Sequence, residues 1–267
     1  MSKGIFITQK KDGTTYYRVS INYRNKHISL GSSSSYEEAD TIYQWAFAIL
    51  RKNQYKISDY LSLNPLLSFE KWVILINFRD KGLYFKTPIY LSKSYFTYYL
   101  DPNTELLFDV DDLFFYSSHK IFRRGNYFFV NDFGMQMNIL SRFGIRNYAK
   151  DGKDYLFIDG NSHNMRYENI QIVNPYNGVE LCKKNNETLY RAKIHILGYI
   201  NIGYFQSPHK AAIAYNKAVD FVKRYLYPDR NYTKNYVDAI SQDEIDFYYT
   251  SIKLPNYLIQ LVDLPHQ

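Results

Sequence analysis

The chain has 267 residues, 18% of them aromatic, a formal net charge of +7 and one cysteine. Its length accommodates one large domain or two to three small ones, and its lone thiol, Cys182, excludes an internal disulfide framework and a cysteine-rich zinc site. No apolar run reaches the length of a membrane span and the first residues hold no apolar segment of signal-peptide length, so a cytoplasmic protein without a membrane partner is expected; the positive charge favours a polyanion.

Residues 1–60 read as a small sheet-and-helix domain. Val19, Ile21 and Tyr23 alternate with Arg18, Ser20 and Asn22, the two-residue period of a strand with one buried face. A turn at Asn25 and Lys26 leads into a second strand, where Ile28 and Leu30 alternate with His27 and Ser29. After Gly31 and a serine run, Ser35 and Glu38 form a capping-box pattern, and Ala39, Ile42, Tyr43, Ala46, Phe47 and Leu50 recur at helical spacing. The polar side offers Arg18, Ser20, Asn22 and His27, with Lys10 and Lys11 before them, as candidate DNA contacts, weaker than their counterparts near the C-terminus.

Residues 61–87 read as a connector in which Phe69, Trp72, Val73, Leu75, Ile76 and Phe78 make a short buried helix or strand pair. Residues 88–176 are β-rich, with strands at SYFTYYL and ELLFDV, a hairpin turning at Arg124, Gly125 and Asn126, and a helix over 137–143 ended by Gly144. Tyr98, Tyr99, Phe114, Phe115, Phe128 and Phe129 read as core rather than as a stacking platform for single strands. Asp109, Asp111 and Asp112 lack the spacing of a calcium loop and read as an acidic helix start.

Residues 177–240 repeat the N-terminal pattern. Lys183 and Lys184 sit on a first strand; residues 190–196 alternate, with Arg191, Lys193 and His195 on the polar side; Leu197 and Gly198 make a tight hairpin; Ile200 and Ile202 then face inward, Tyr199 and Asn201 outward. Ser207 is positioned to cap a helix that starts at Pro208 and carries Ala211, Ala214, Tyr215, Ala218, Phe221, Val222 and Tyr225 as its apolar stripe. Setting Gly31 on Gly203 places Ala39 on Ala211 and Tyr43 on Tyr215, an internal repeat whose first hairpin is one residue longer. Residues 183–234 hold ten Lys and Arg against three Asp and Glu, so the positive charge gathers on this element. A sheet backed by one helix then presents Arg191, Lys193, His195, Tyr199 and Asn201 to the major groove, which admits a β-ribbon, with Lys183 and Lys184 on phosphates. Residues 241–267 read as a tail.

Both copies resemble the Apetala/ethylene-response-factor class of DNA-binding domain in its bacterial and phage form. The resemblance is carried by Gly178, Val179, Tyr190, Arg191, Ala192, Ile194, Gly203, Tyr204, Phe205, Ala211, Ala212, Ala214, Tyr215 and Asn216 in the C-terminal copy, and by Gly4, Tyr17, Arg18, Ile21, Leu30, Gly31, Glu38, Ala39 and Tyr43 in the other. It implies a three-stranded sheet whose outer face enters the major groove. The stretch from Tyr155 to Ile170 resembles the core of HNH homing-type endonucleases through Ile158, Gly160, Asn161, Asn164, Arg166, Asn169 and Ile170. That family opens the motif with an Asp-His pair, a metal ligand and a general base; here Leu156 and Phe157 hold those positions, and Met165 replaces the central Asn. Leu, Phe and Met offer neither ligand atoms nor a titratable group, so an inactive scaffold is implied.

The expected fold is α+β: two small domains of three antiparallel strands and one helix, flanking a degenerate HNH-like ββα domain. The expected function is sequence-specific binding of double-stranded DNA without catalysis, cofactor or metal, as a regulator from a phage or mobile element. Two other readings stay open: an active nicking or homing endonuclease using His163, and an inhibitor or interaction module acting on a nucleic-acid enzyme.

Overall fold

Alternating apolar residues at both ends of the chain fold as small antiparallel sheets, each backed by one helix, in a computed structural model that describes residues 4–9, 11–147, 149–184 and 186–263. The architecture is α+β, and the chain divides into two compact units: Met1–Ile139 with Asn161–Asn169, and Leu140–Gly160 with Ile170–Gln267. Among the described residues no helix is long and apolar enough to cross a membrane.

The first unit opens with β1 (Ile5–Gln9), β2 (Thr15–Tyr23) and β3 (Lys26–Ser33), adjacent in that order. Arg24 and Asn25 make the tight β2–β3 turn at φ 45° and 61°, the mirror-image geometry that matches strand twist. Helix α1 (Tyr36–Arg51) covers the inner face, burying Ala39, Ala46, Ile49 and Leu50 against Ile5, Val19, Ile21, Ile28 and Leu30. Each of the isoleucine, leucine and valine side chains contributes roughly 1.5–3 kcal/mol by leaving water. Ser35 accepts the Glu38 N–H at the start of α1, but the Glu38 carboxylate accepts from Ser33 Oγ at 2.5 Å, a variation on the expected capping box. A short helix, α2 (Tyr60–Leu63), precedes α3 (Phe69–Lys81), in which every residue from Trp72 to Arg79 is buried. Trp72, Leu75, Ile76 and Phe78 join the same core as β1–β3, so residues 61–87 complete the first domain rather than link it to another. The buried Arg79 guanidinium donates to the carbonyls of Ile49, Lys52 and Tyr55 at 3.3, 3.1 and 2.9 Å, satisfying the end of α1.

Two more three-stranded antiparallel sheets follow: β4 (Ile89–Leu91), β5 (Tyr95–Asp101) and β6 (Thr104–Asp109), then, after α4 (Leu113–Tyr116), β7 (Ile121–Arg124), β8 (Tyr127–Asp132) and β9 (Met135–Asn138). Phe96, Tyr98, Phe108 and Tyr116 are fully buried, whereas Phe114 is 91% exposed and leaves the expected core. Residues 137–143 do not form an α-helix: they finish β9 and continue as a short 3-10 turn, with Gly144 at φ 74° after it.

In the second unit β10 (Tyr155–Phe157) pairs with β11 (Ile170–Ile172), and no helix lies between β11 and the next sheet among the described residues, so the helix of a ββα motif is missing there. Buried Asp154 ties this region together, taking Arg146 at 2.6 Å and Asn174 at 2.8 Å. The C-terminal sheet is β12 (Val179–Lys184), β13 (Glu187–His195) and β14 (Tyr199–Phe205), backed by α5 (Pro208–Tyr225). Ser207 stands at the N-cap without a side-chain cap bond, and Tyr225, expected in the apolar stripe, is 47% exposed. The expected tail is structured: α6 (Gln242–Ser251) and α7 (Asn256–Gln260) pack Ile245, Tyr248, Tyr249 and Leu258 into the C-terminal core. A capping box of Ser241 and Glu244 starts α6, and Lys217 Nζ donates to the carbonyls of Tyr249 and Ile252 near its end at 2.6 and 2.7 Å.

The internal repeat extends to fine geometry. Gly31 lies opposite Val19 and Gly203 opposite Ala192, and in both sheets the register shifts at the very next residue, Ser20 or Lys193. Those two residues donate their N–H to Gly4 and Gly178 at 2.9 and 2.7 Å. Both glycines have positive φ, and a Cβ would sit 2.7 Å from Tyr43 at Gly4 and 2.0 Å from Tyr215 at Gly178. Gly178→Ala is therefore expected to destabilise the second unit by more than about 2 kcal/mol, while Gly198→Ala, with no neighbour within 4 Å, stays within about 0.5 kcal/mol. Urea unfolding followed by near-UV circular dichroism measures both.

Candidate nucleic-acid interface

Because α5 covers the face bearing Ala192, Ile194 and Ile202, the other face of β12–β14 looks outward. Register sets its rows: Glu180 opposite Arg191 and then Tyr204; Lys193 opposite Asn201; His195 opposite Tyr199; Lys184 opposite Glu187 at the far end. The structure thus brings Lys184, Arg191, Lys193, His195, Tyr199 and Asn201 onto one surface. Lys183 alternates to the side of Val179 and does not share that face, although it is exposed.

The face is less uniformly cationic than the sequence pattern implies. Glu180 Oε2 lies 2.6 Å from Arg191 Nη2 and 2.9 Å from Lys193 Nζ, bridging the two. The Lys193 hydrogen bond, with help from Arg191, pulls the Glu180 carboxyl down to about 2. Glu180 is the residue of this face that the sequence reading missed. Its signal was strand alternation from Val179, which places it on the polar side, but its partners emerge only from the β12–β13 register. The tyrosines add order: Lys193 Nζ sits 4.5 Å from the Tyr199 ring centre, Lys184 Nζ 4.2 Å from that of Tyr204, and His195 packs edge-on to Tyr199 at 5.0 Å. Tyr232 donates to the His195 carbonyl at 2.7 Å and holds the hairpin end. Tyr199 and Leu197 project from that end, 73% and 87% exposed.

In the N-terminal copy Arg18, Asn22 and His27 are exposed, as is Lys11 in the β1–β2 turn; Lys10 lies outside the described residues. Ser20 keeps the outward alternation of β2, since the extra residue at the register shift is Leu30 on β3, but it is only 7% exposed between Val19 and Ile21 and is not displayed as the sequence reading expects. Phe6 occupies the position of Glu180, so Arg18 has a ring rather than a carboxylate opposite it and donates to Tyr16 Oη at 3.0 Å. Ser20, Asn22 and His27 line a cleft of about 570 Å³ with Tyr43, Phe47 and Arg51.

The HNH-like segment is held by structural contacts. Asn169, 3% exposed, donates to the carbonyls of Asn161 and Asn164 at 3.3 and 2.8 Å, and Met165 is buried. Asp109 accepts the Tyr167 N–H at 2.7 Å and faces Arg166, which spends this carboxylate on the turn. His163 packs edge-on to Phe128 at 5.8 Å. Leu156 and Phe157 occupy β10, and among the described residues no group of three His, Cys, Asp or Glu side chains comes together.

No protein-family model, no curated protein and no solved structure matches this chain.

The Glu180 carboxylate ionises more readily in the folded chain than in the unfolded one, so its contribution is complete above pH ~4.5 and is lost as pH falls toward 2. Since both partners are partly solvated, that contribution is at most about 1 kcal/mol. Glu180→Gln is expected to flatten this acid limb, a change read from unfolding midpoints between about pH 2 and 6 and smaller at high salt.

Proposed function

We propose that the chain is a sequence-specific binder of double-stranded DNA that reads the major groove with the outer face of β12–β14 and performs no catalysis on it. One observation carries the reading. A helix-backed sheet displays Lys184, Arg191, Lys193, His195, Tyr199 and Asn201 on a single surface, with Glu180 and the tyrosine rings holding the cations in place. Pre-positioned donors suit base edges, because less side-chain freedom is lost on contact. Arg191 and Asn201 are the base readers, matching the donor and acceptor patterns of guanine and adenine; Lys184, at the edge, neutralises phosphate. The N-terminal sheet supplies Arg18, Asn22 and His27 as a second, weaker surface, and two such surfaces on one chain gain affinity by effective concentration when a site has both half-sites in reach. The HNH-like segment contributes architecture, since its Leu156, Phe157 and Met165 offer no ligand or base. A regulator from a phage or mobile element fits such a molecule.

Binding to a duplex selected from a random pool is expected to weaken with salt, with a log–log slope near −3 for the cations of this face. Lys184→Ala should reduce the slope by about 1 for all sequences alike, whereas Arg191→Ala should cost about 1–3 kcal/mol and relax the preference at one base pair. A pool that yields no enriched sequence would remove the proposal. Supercoiled plasmid incubated with magnesium or manganese should stay intact; nicking that disappears in His163→Ala would instead establish a nuclease.

A further inference from the structure

The sheet β7–β9 turns Ile121, Phe128 and Val130 into the core of the first unit, and its register sends Phe122, Arg124, Tyr127, Phe129, Asn131 and Gln136 to the opposite face. Phe128 and Phe129, adjacent in the chain, thus serve different faces. Phe122 and Phe129 stack across the strands with ring centres 6.1 Å apart and 26° between planes, both partly exposed. Arg124 lies over Phe122 at 5.9 Å, and Tyr127, opposite Arg124, is 47% exposed. No carboxylate belongs to this face: Asp132 alternates to the other side and faces His119 at 3.4 Å. At the end of β8, Phe133 is 94% exposed at φ 46°, followed by Gly134 at φ 77°. Such turn positions suit Asn and Gly; a phenylalanine there strains the backbone and leaves its ring in water without packing in return.

We propose that this face is a stacking platform for an unpaired nucleic-acid strand, with bases on the rings of Phe122, Tyr127, Phe129 and Phe133 and a phosphate on Arg124. Spacing decides between duplex and single strand. Rings two residues apart on a β-strand are about 6.6–6.8 Å apart, twice the ~3.4 Å rise per nucleotide of a duplex strand. Such rings meet base faces that have been drawn apart, and a duplex keeps those faces hidden. Exposed Asn131 and Gln136, opposite each other, supply donors and acceptors for base edges. Arginine at the hairpin tip, with no acid beside it, favours a polyanion over an acidic-surface-free apolar partner. The platform lies in the first unit and does not depend on the duplex reading of the C-terminal sheet.

The test is fluorescence anisotropy on the full chain with three labelled probes: oligothymidylate and oligouridylate of about fifteen nucleotides, and a duplex of the same length. Tyr127→Ala with Phe133→Gly changes exposed side chains, so the fold is kept, and circular dichroism verifies it. The wild type should bind the unpaired probes, and the double variant should lose roughly tenfold or more of that affinity while duplex binding stays within about twofold. Tighter binding of either unpaired probe supports the platform and shows which sugar it prefers. Three results would overturn it: no binding of unpaired probes at low salt, equal losses for unpaired and duplex probes, or unchanged unpaired binding with a dimer in light scattering that the double variant dissolves, which would make the surface a contact between copies.

Discussion

A three-stranded sheet has two faces and a single helix covers only one; the structure at both ends of this chain follows from that constraint. In the C-terminal copy the helix packs close because Ala211, Ala214 and Ala218 are small and fully buried. Closeness forces the backbone under Tyr215 to be glycine, and Gly178 in turn accepts the N–H of Lys193 where the register shifts. The same set, Gly4, Tyr43 and Ser20, recurs at the N-terminus. Packing density leaves little room for variation on the helix side, whereas the open side is constrained only by water and by whatever it meets.

The two open faces have consequently diverged. Where the C-terminal copy places Glu180 opposite Arg191, the N-terminal copy places Phe6 opposite Arg18. A carboxylate there lowers the net positive potential but immobilises two cations, exchanging long-range attraction for geometry. The aromatic position leaves Arg18 exposed beside Tyr16 and an adjoining cleft lined by Tyr43 and Phe47. One scaffold thus supports two different surface chemistries within a single chain.

Between the two copies in sequence, the polar side chains of residues 155–170 secure the local backbone. Asn169, Asn161 and Asn164 bind each other through a side-chain amide and backbone carbonyls, and Asp109 secures the Arg166–Tyr167 backbone. The buried Asn169 amide thus has acceptors for its donors inside an otherwise largely exposed turn.

The sequence by itself determined the local periods: two-residue alternation around Val19 and Ala192, the helical stripes from Ala39 and Ala211, and the repeat that aligns Gly31 with Gly203. These are properties of neighbouring residues, so no distant contact is needed to read them. The Ser241–Glu244 capping box is equally local, yet the sequence reading passed over it and took α6 for part of a tail. Tertiary structure decided the rest. It covered Ser20 in spite of its outward place on β2, drew α3 into the first core, and set Glu180 against Arg191 and Lys193. Each of those outcomes depends on which strand or helix lies alongside, and pairing between segments far apart in the chain leaves no periodic trace in either one.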